Sequence, residues 1–141
     1  MHIKLTNGQP EKYSIGQLRR DNPNVSFPKD IPTEVLVSFN VYPYSRPDRP
    51  AYDHLTEQCF DDGFEQDAEG NWSQGYSVEP LEQEQAGRNI RSRRDRLLQD
   101  TDWMALSDNT MTPSLASYRQ ALRDITGQAG FPYSVDWPTK P

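Results

Sequence analysis

The sequence predicts an α+β protein: a small β-rich N-terminal module over residues 1–79, then a C-terminal helical hairpin and an extended aromatic tail over residues 80–141. Three observations carry that prediction. Leu115, Tyr118, Leu122 and Ile125 recur at steps of 3, 4 and 3, which sets four apolar side chains on one face of a helix. Trp72, Gln74, Tyr76 and Val78 alternate with Asn71, Ser73, Gly75 and Ser77, the two-residue period of a strand. Between them, Pro80 separates a region of short, proline-broken segments from a long charged one.

Taken in order, His2 to Leu5 form a short strand that ends at the turn Asn7-Gly8. Ser14 caps a helix from Ile15 to Arg20, which Asp21-Asn22-Pro23 stops. Pro32-Thr33 open a second short helix through about Phe39, with Val35, Leu36 and Phe39 facing inward. Val41 to Ser45, Tyr52 to Cys59 and Asn71 to Val78 read as strands of an antiparallel meander, shortened or placed at an edge by Pro43, Pro47 and Pro50. The acidic stretch Asp61 to Asn71 reads as a solvated hairpin loop.

Leu81 to about Asp100 predict one helix roughly 30 Å long at 1.5 Å per residue. Its apolar side is thin, with Ala86, Ile90, Leu97 and Leu98, and Gly87 weakens it by up to ~1 kcal/mol. Thr112 caps the next helix, Pro113 takes its first position, and Gly127 is the expected C-cap. Trp103 is expected to pack under the helix pair.

Composition narrows the function. The hydrophobic share is 33%, and even with the 8 glycines added it stays below the ~45–50% of ordinary globular chains. The core is therefore thin, while an aromatic content of 11% argues against disorder. A net charge of -6 disfavours a dedicated nucleic-acid binder. Arg88, Arg91, Arg93, Arg94 and Arg96 are read as a solvated helix face suited to protein contacts, not a phosphate site. Thr101 to Thr112 is too long a connection for a DNA-reading helix-turn-helix. Three His and Cys residues in total make a zinc site untenable, and the acidic stretch lacks the register of a calcium loop. No nucleophile motif, phosphate loop or cofactor motif is present, so no catalytic residue, cofactor or metal is assigned. No apolar run approaches the length of a membrane helix, no signal-peptide core is seen, and one cysteine, Cys59, fits a reducing compartment.

The segment SIGQLRRDNPNVSFP (14–28), followed by Val41-Tyr42-Pro43, resembles the N-terminal module of small phage tail proteins. RDRLLQDTDW (94–103), SYRQALRDI (117–125), GFP (130–132) and DWP (136–138), in that order, resemble the phage tail assembly chaperone family, which includes tail-fibre assembly proteins. The resemblance implies a non-enzymatic protein that binds and caps a tail-fibre protein, trimeric in form, or another tail component, in the host cytoplasm during assembly. The alternative from another class is a structural virion component, a fibre-tip or baseplate adaptor that stays bound. A DNA-binding regulator is a distant third. The expected partner-binding residues are Tyr118, Arg119, Arg123, Phe131, Tyr133 and Trp137: helix positions beside the apolar stripe, and the aromatics of a proline-stiffened tail.

The helical register makes a test. Leu122→Asp buries an unpaired carboxylate in the stripe and should cost about 3–5 kcal/mol, enough to unfold a marginal unit. Arg123→Glu, one residue and about 100° further round the helix, should leave the fold intact. Circular dichroism melts of both variants check it, and equal melting temperatures would mean that the register is wrong.

Overall fold

A computed structural model describes residues 1–141. It holds one five-stranded sheet and four α-helices, so the α+β class is correct. The strands are β1 (His2–Thr6), β2 (Gln9–Tyr13), β3 (Val41–Ser45), β4 (Glu57–Gln66) and β5 (Trp72–Pro80). The helices are α1 (Ile15–Asp21), α2 (Thr33–Ser38), α3 (Gln83–Gln99) and α4 (Pro113–Arg123). Short 3-10 turns follow α3 at Asp102–Ala105 and α4 at Asp124–Gly127. The chain divides into two compact units, Met1–Pro50 with Cys59–Ser77, and Ala51–Gln58 with Val78–Pro141.

In the first unit, Asn7 and Gly8 both take positive φ, 52° and 79°, and Thr6 faces Gln9 across them. That is the two-residue hairpin turn whose twist matches that of its strands. It creates β2, a strand the sequence reading does not contain and in which Pro10 stands. Pro10 is tolerated because β2 lies at the sheet edge. Ser14 caps α1 as expected, in a reciprocal capping box with Gln17. Leu18, Phe27, Leu36 and Val41 form the core, with Phe27 and Phe39 meeting edge to face at 5.3 Å. Val35 does not face inward; it is exposed, because a helix as short as α2 offers the core only one stripe, here Leu36 and then Phe39.

The strand order is β2-β1-β3-β5-β4, which corrects the expected meander. β3 runs antiparallel to β1 and parallel to β5, where Tyr44 faces Trp72 and Ser45 faces Ser73. β4 occupies the outer edge, and β5 returns from it to fill the place beside β3. The predicted strand over Tyr52 to Cys59 is also corrected. Asp53 captures its own neighbourhood instead: its carboxylate accepts from Leu55 N at 2.9 Å and its carbonyl from Thr56 N and Glu57 N. Such a turn satisfies the backbone before a strand can.

β4 therefore begins at Glu57 and runs through the acidic stretch, and only Asp67 to Asn71 turns. Carboxylates are poor strand formers in general, but charge on an edge strand discourages pairing with other chains. Asp61 on β4 also has three cations to meet: Lys12 at 3.4 Å, Arg46 at 3.5 Å and Arg49 at 3.2 Å. Tyr76 holds the proline-rich connection by donating to the Pro47 carbonyl at 3.1 Å.

Gly75 in β5 is required by a close approach. A Cβ there would lie 2.6 Å from the Asp62 carbonyl oxygen of β4. Beside it Gln74, 3% exposed, donates to the Gly63 carbonyl at 2.7 Å. Gly75→Ala should therefore force the two strands apart and destabilise the protein by about 1–3 kcal/mol, read as a lower urea midpoint. Gly8→Ala puts its methyl in open space and meets only the backbone strain of its φ, so it should cost less, about 1 kcal/mol. A Gly75→Ala midpoint equal to that of wild type would show that the approach is looser than described.

Candidate functional site

The second unit is built on α3 and α4. Ala86 and Ile90 of α3 are fully buried, as the thin apolar side predicts. Nearer its C-terminus, Leu97 and Leu98 pack on Leu115, Tyr118 and Leu122 of α4. Thr112 caps α4 by accepting from Leu115 N, and Pro113 takes the first turn. Ile125 completes the stripe from the 3-10 turn that continues α4, also fully buried. Gly127 is not a left-handed C-cap; its φ is not positive, and it is the last residue of the 3-10 turn that continues the helix.

Arg119 sits on the apolar stripe itself, four residues after Leu115 and three before Leu122. It is 6% exposed, and every one of its bonds ends on the segment that leaves α3. Nη1 donates to the Leu98 carbonyl at 2.8 Å and to Thr101 Oγ1 at 2.6 Å, and Nη2 donates to Asp102 Oδ1 at 2.8 Å. Thr101, 2% exposed, also donates to the Leu98 carbonyl. A helix leaves its last carbonyls without partners, and a cation there also meets the negative end of the helix dipole. Arg119 thus closes the end of α3 from α4, and two of the motifs behind the family resemblance, DTDW and SYRQALRDI, meet in this one clamp.

Trp103 is the correction that follows. Thr101 takes the buried position in the turn, so Trp103 points outward and is 58% exposed instead of packing beneath the helices. Leu106 beside it is 57% exposed.

The tail does not run extended. The Gln128 side chain binds the Asp136 backbone twice, donating to its carbonyl at 2.9 Å and accepting from its N–H at 2.7 Å. Ser134 N donates to the Gly130 carbonyl at 2.8 Å, which closes residues 128–136 into a loop. Its aromatics lie on the unit's own helices. Phe131 stands where a Cβ on Gly87 would be 3.4 Å from its ring, with the Arg91 guanidinium 5.2 Å from the ring centre. Gly87 thus gives α3 a flat place for the ring, which accounts for a glycine inside a helix. Trp137 packs against the Leu115, Tyr118 and Leu122 cluster, under Arg93 at 4.8 Å. Tyr133 is exposed on its ring and donates to the Leu81 carbonyl at 2.7 Å.

Of the six residues expected to bind a partner, the structure therefore buries Tyr118 and Arg119 in the helix contact. It half-buries Phe131 on α3 and Trp137 on that contact, and leaves Arg123 and Tyr133 at the surface. Sequence reasoning missed the role of Thr101 and the exposure of Trp103. One signal was available: a polar residue in register with an apolar stripe, as Arg119 is, must be hydrogen-bonded inside the fold. No group of three His, Cys, Asp or Glu side chains gathers to hold a metal. No helix is long and apolar enough to cross a membrane.

The second unit is thus a helix pair locked by a buried arginine, with Trp103 and Tyr133 left at its surface. Residues 87–141, most of this unit, match the model of a family described as phage tail assembly chaperone protein. The match covers less than half of the chain and supports its assignment to a phage tail assembly chaperone family, in agreement with the resemblance of its motifs. No curated protein and no solved structure matches significantly.

The clamp predicts an unequal pair of mutations. Arg119→Ala removes a donor from the Leu98 carbonyl and from Thr101 Oγ1, which keep their bonds to each other, and leaves a void on the apolar stripe, so it should cost about 2–4 kcal/mol. Asp102 is 61% exposed on its side chain, so Asp102→Asn should cost under ~1 kcal/mol. Denaturant melts of the two variants decide it, and equal losses would place the weight on the ion pair instead of the carbonyl and hydroxyl.

Proposed function

We propose that the protein is a non-enzymatic phage tail-fibre assembly chaperone, which binds a tail-fibre protein in the host cytoplasm and covers an end whose strands have not yet paired. The match of residues 87–141 to the tail assembly chaperone family carries this reading. Its physical sense lies in the partner. A fibre end with unpaired strand edges pairs promiscuously until the partner strands arrive, so a bound protein that hides it raises the yield of correct assembly.

The division of labour among the candidate residues follows their burial. Tyr118, Arg119, Phe131 and Trp137 serve the site by holding its shape, and Arg123 and Tyr133 meet the partner directly. Arg123 on the open face of α4 can lay its stem on apolar surface while its head binds a carboxylate or a carbonyl. Tyr133 offers a rigid ring whose hydroxyl is already held by Leu81, so little freedom is lost on docking.

Co-expression with the tail proteins of the phage tests this. The full chain should co-purify with the fibre protein, and Arg123→Glu and Tyr133→Ala should each weaken capture several-fold with unchanged melting. Mass spectrometry of purified virions should not find the chain. Its presence there would favour the adaptor that stays bound, and capture of no tail protein at all would remove the assembly role.

A further inference from the structure

An unpaired arginine and two clefts of the second unit lie next to one another along the chain. Arg96 of α3 makes neither an ion pair nor a side-chain hydrogen bond, whereas its neighbours do have partners: Arg88 binds Glu84 and Arg94 binds Asp95. Arg88, Arg91 and Arg96 line a groove of about 740 Å³ that ends at Asp102. The next residue, Trp103, opens a second cleft of about 240 Å³, whose other walls include Met104, Leu115 and Pro141. The loop that presents Trp103 is held in place by its own bonds. Asn109 Nδ2 donates to the Trp103 carbonyl at 2.9 Å, and Asn109 N donates to the Leu106 carbonyl at 3.0 Å. A large exposed aromatic on a fastened loop, beside an apolar cleft, has the make-up of a binding hot spot, and it costs little ordering on docking.

We propose that this continuous surface takes an acidic–apolar polypeptide segment of the tail protein, its carboxylates along Arg88, Arg91 and Arg96 and its apolar side chain on Trp103 in the cleft. The proposal rests on the reading that the chain binds a tail component, and it names the chemistry of the segment bound. Charge complementarity sets the acidic part: the groove's two carboxylates, Asp95 and Asp102, are already paired with Arg94 and Arg119, whereas Arg91 and Arg96 have no carboxylate partner and Arg88 has only the exposed Glu84, in a protein of net charge -6. The cleft sets the apolar part, since a segment that covers Trp103 and Leu106 removes the most exposed large hydrophobic side chains of this unit from water. Nucleic acid fits less well. The cleft beside the groove has Lys140 as its one cation and is lined by Trp103, Met104, Leu115 and Pro141, which suits an apolar side chain better than a phosphate chain.

Fluorescence anisotropy with the full chain tests the surface directly. The probes are a labelled peptide of Asp and Glu residues followed by Leu and Phe, the same peptide with Lys in place of the acids, and a labelled single-stranded oligonucleotide. The acidic–apolar peptide should bind, and the other two should bind at least about tenfold more weakly. Arg96→Glu and Trp103→Ala should each weaken peptide binding by about tenfold with unchanged melting, and Arg96→Glu, unlike Trp103→Ala, should also lower its salt dependence. Tighter binding of the oligonucleotide, or wild-type affinity for the peptide in both variants, would overturn the proposal. Co-expression with the tail proteins separates it from the broader reading. A wild-type chain that captures no tail protein overturns the assembly role, whereas variants that capture as well as wild type overturn only this surface.

Discussion

The bonds of Arg119 to Leu98, Thr101 and Asp102 are the contact on which the second unit depends. A helix that ends inside a protein leaves carbonyl groups that need donors, and α3 ends without a glycine cap. The Leu98 carbonyl accepts from the N–H and the hydroxyl of Thr101, and the neighbouring helix adds the Arg119 guanidinium to both groups. This does three things together: it closes α3, fixes how α4 lies against it, and decides which residues of the connecting turn go in. Thr101 goes in because its small hydroxyl fits beside a guanidinium. Trp103 goes out as the geometric consequence. A buried cation is costly unless its donors are engaged, and here the guanidinium meets a carbonyl, a hydroxyl and a carboxylate, the last reaching to solvent.

The same unit shows how a chain with a 33% hydrophobic share completes a core. The helix pair has too few apolar residues to cover itself, and the tail supplies the rest. Trp137 lies on the Leu115, Tyr118 and Leu122 cluster, and Phe131 lies against Gly87. The aromatics do not stand ready in an extended arm, because each has a surface of its own unit to lie on. Arg91 and Arg93 cover the two rings from the solvent side, so part of the arginine cluster on α3 holds the tail. Of the other three, Arg94 pairs with Asp95, and Arg88 and Arg96 line the groove that ends at Asp102, together with Arg91.

In the first unit the governing constraint is the place of β5 between β3 and β4. Parallel pairing with β3 covers only Tyr44 and Ser45, so that seam is short. Two polar devices flank it: Asp61 with its three cations, and Tyr76 with the Pro47 carbonyl. Surface ion pairs contribute little singly, but three cations on one carboxylate bring β2 and the proline-rich connection onto β4.

Local elements were legible in the sequence wherever one period or one cap decided them. Ser14 and Gln17 set the start of α1, Thr112 and Pro113 that of α4, and the 3-4-3 stripe gave a register in which all four residues are buried. The α+β class and the assembly-chaperone resemblance were legible in the same way, from motifs contiguous in the chain. Strand order was not, because alternation shows which residues share a face and says nothing about which strand lies next. β2 and the acidic half of β4 were hidden by residues that disfavour strands in general and are tolerated at edges. The division of the candidate site was hidden as well. Arg119 and Arg123 are the same residue type four positions apart on one helix, yet one is buried in a clamp and the other is open to solvent. The helical period alone places a side chain on a face. What that face meets is settled by segments distant in the chain, here the end of α3, and only the tertiary structure brings them together.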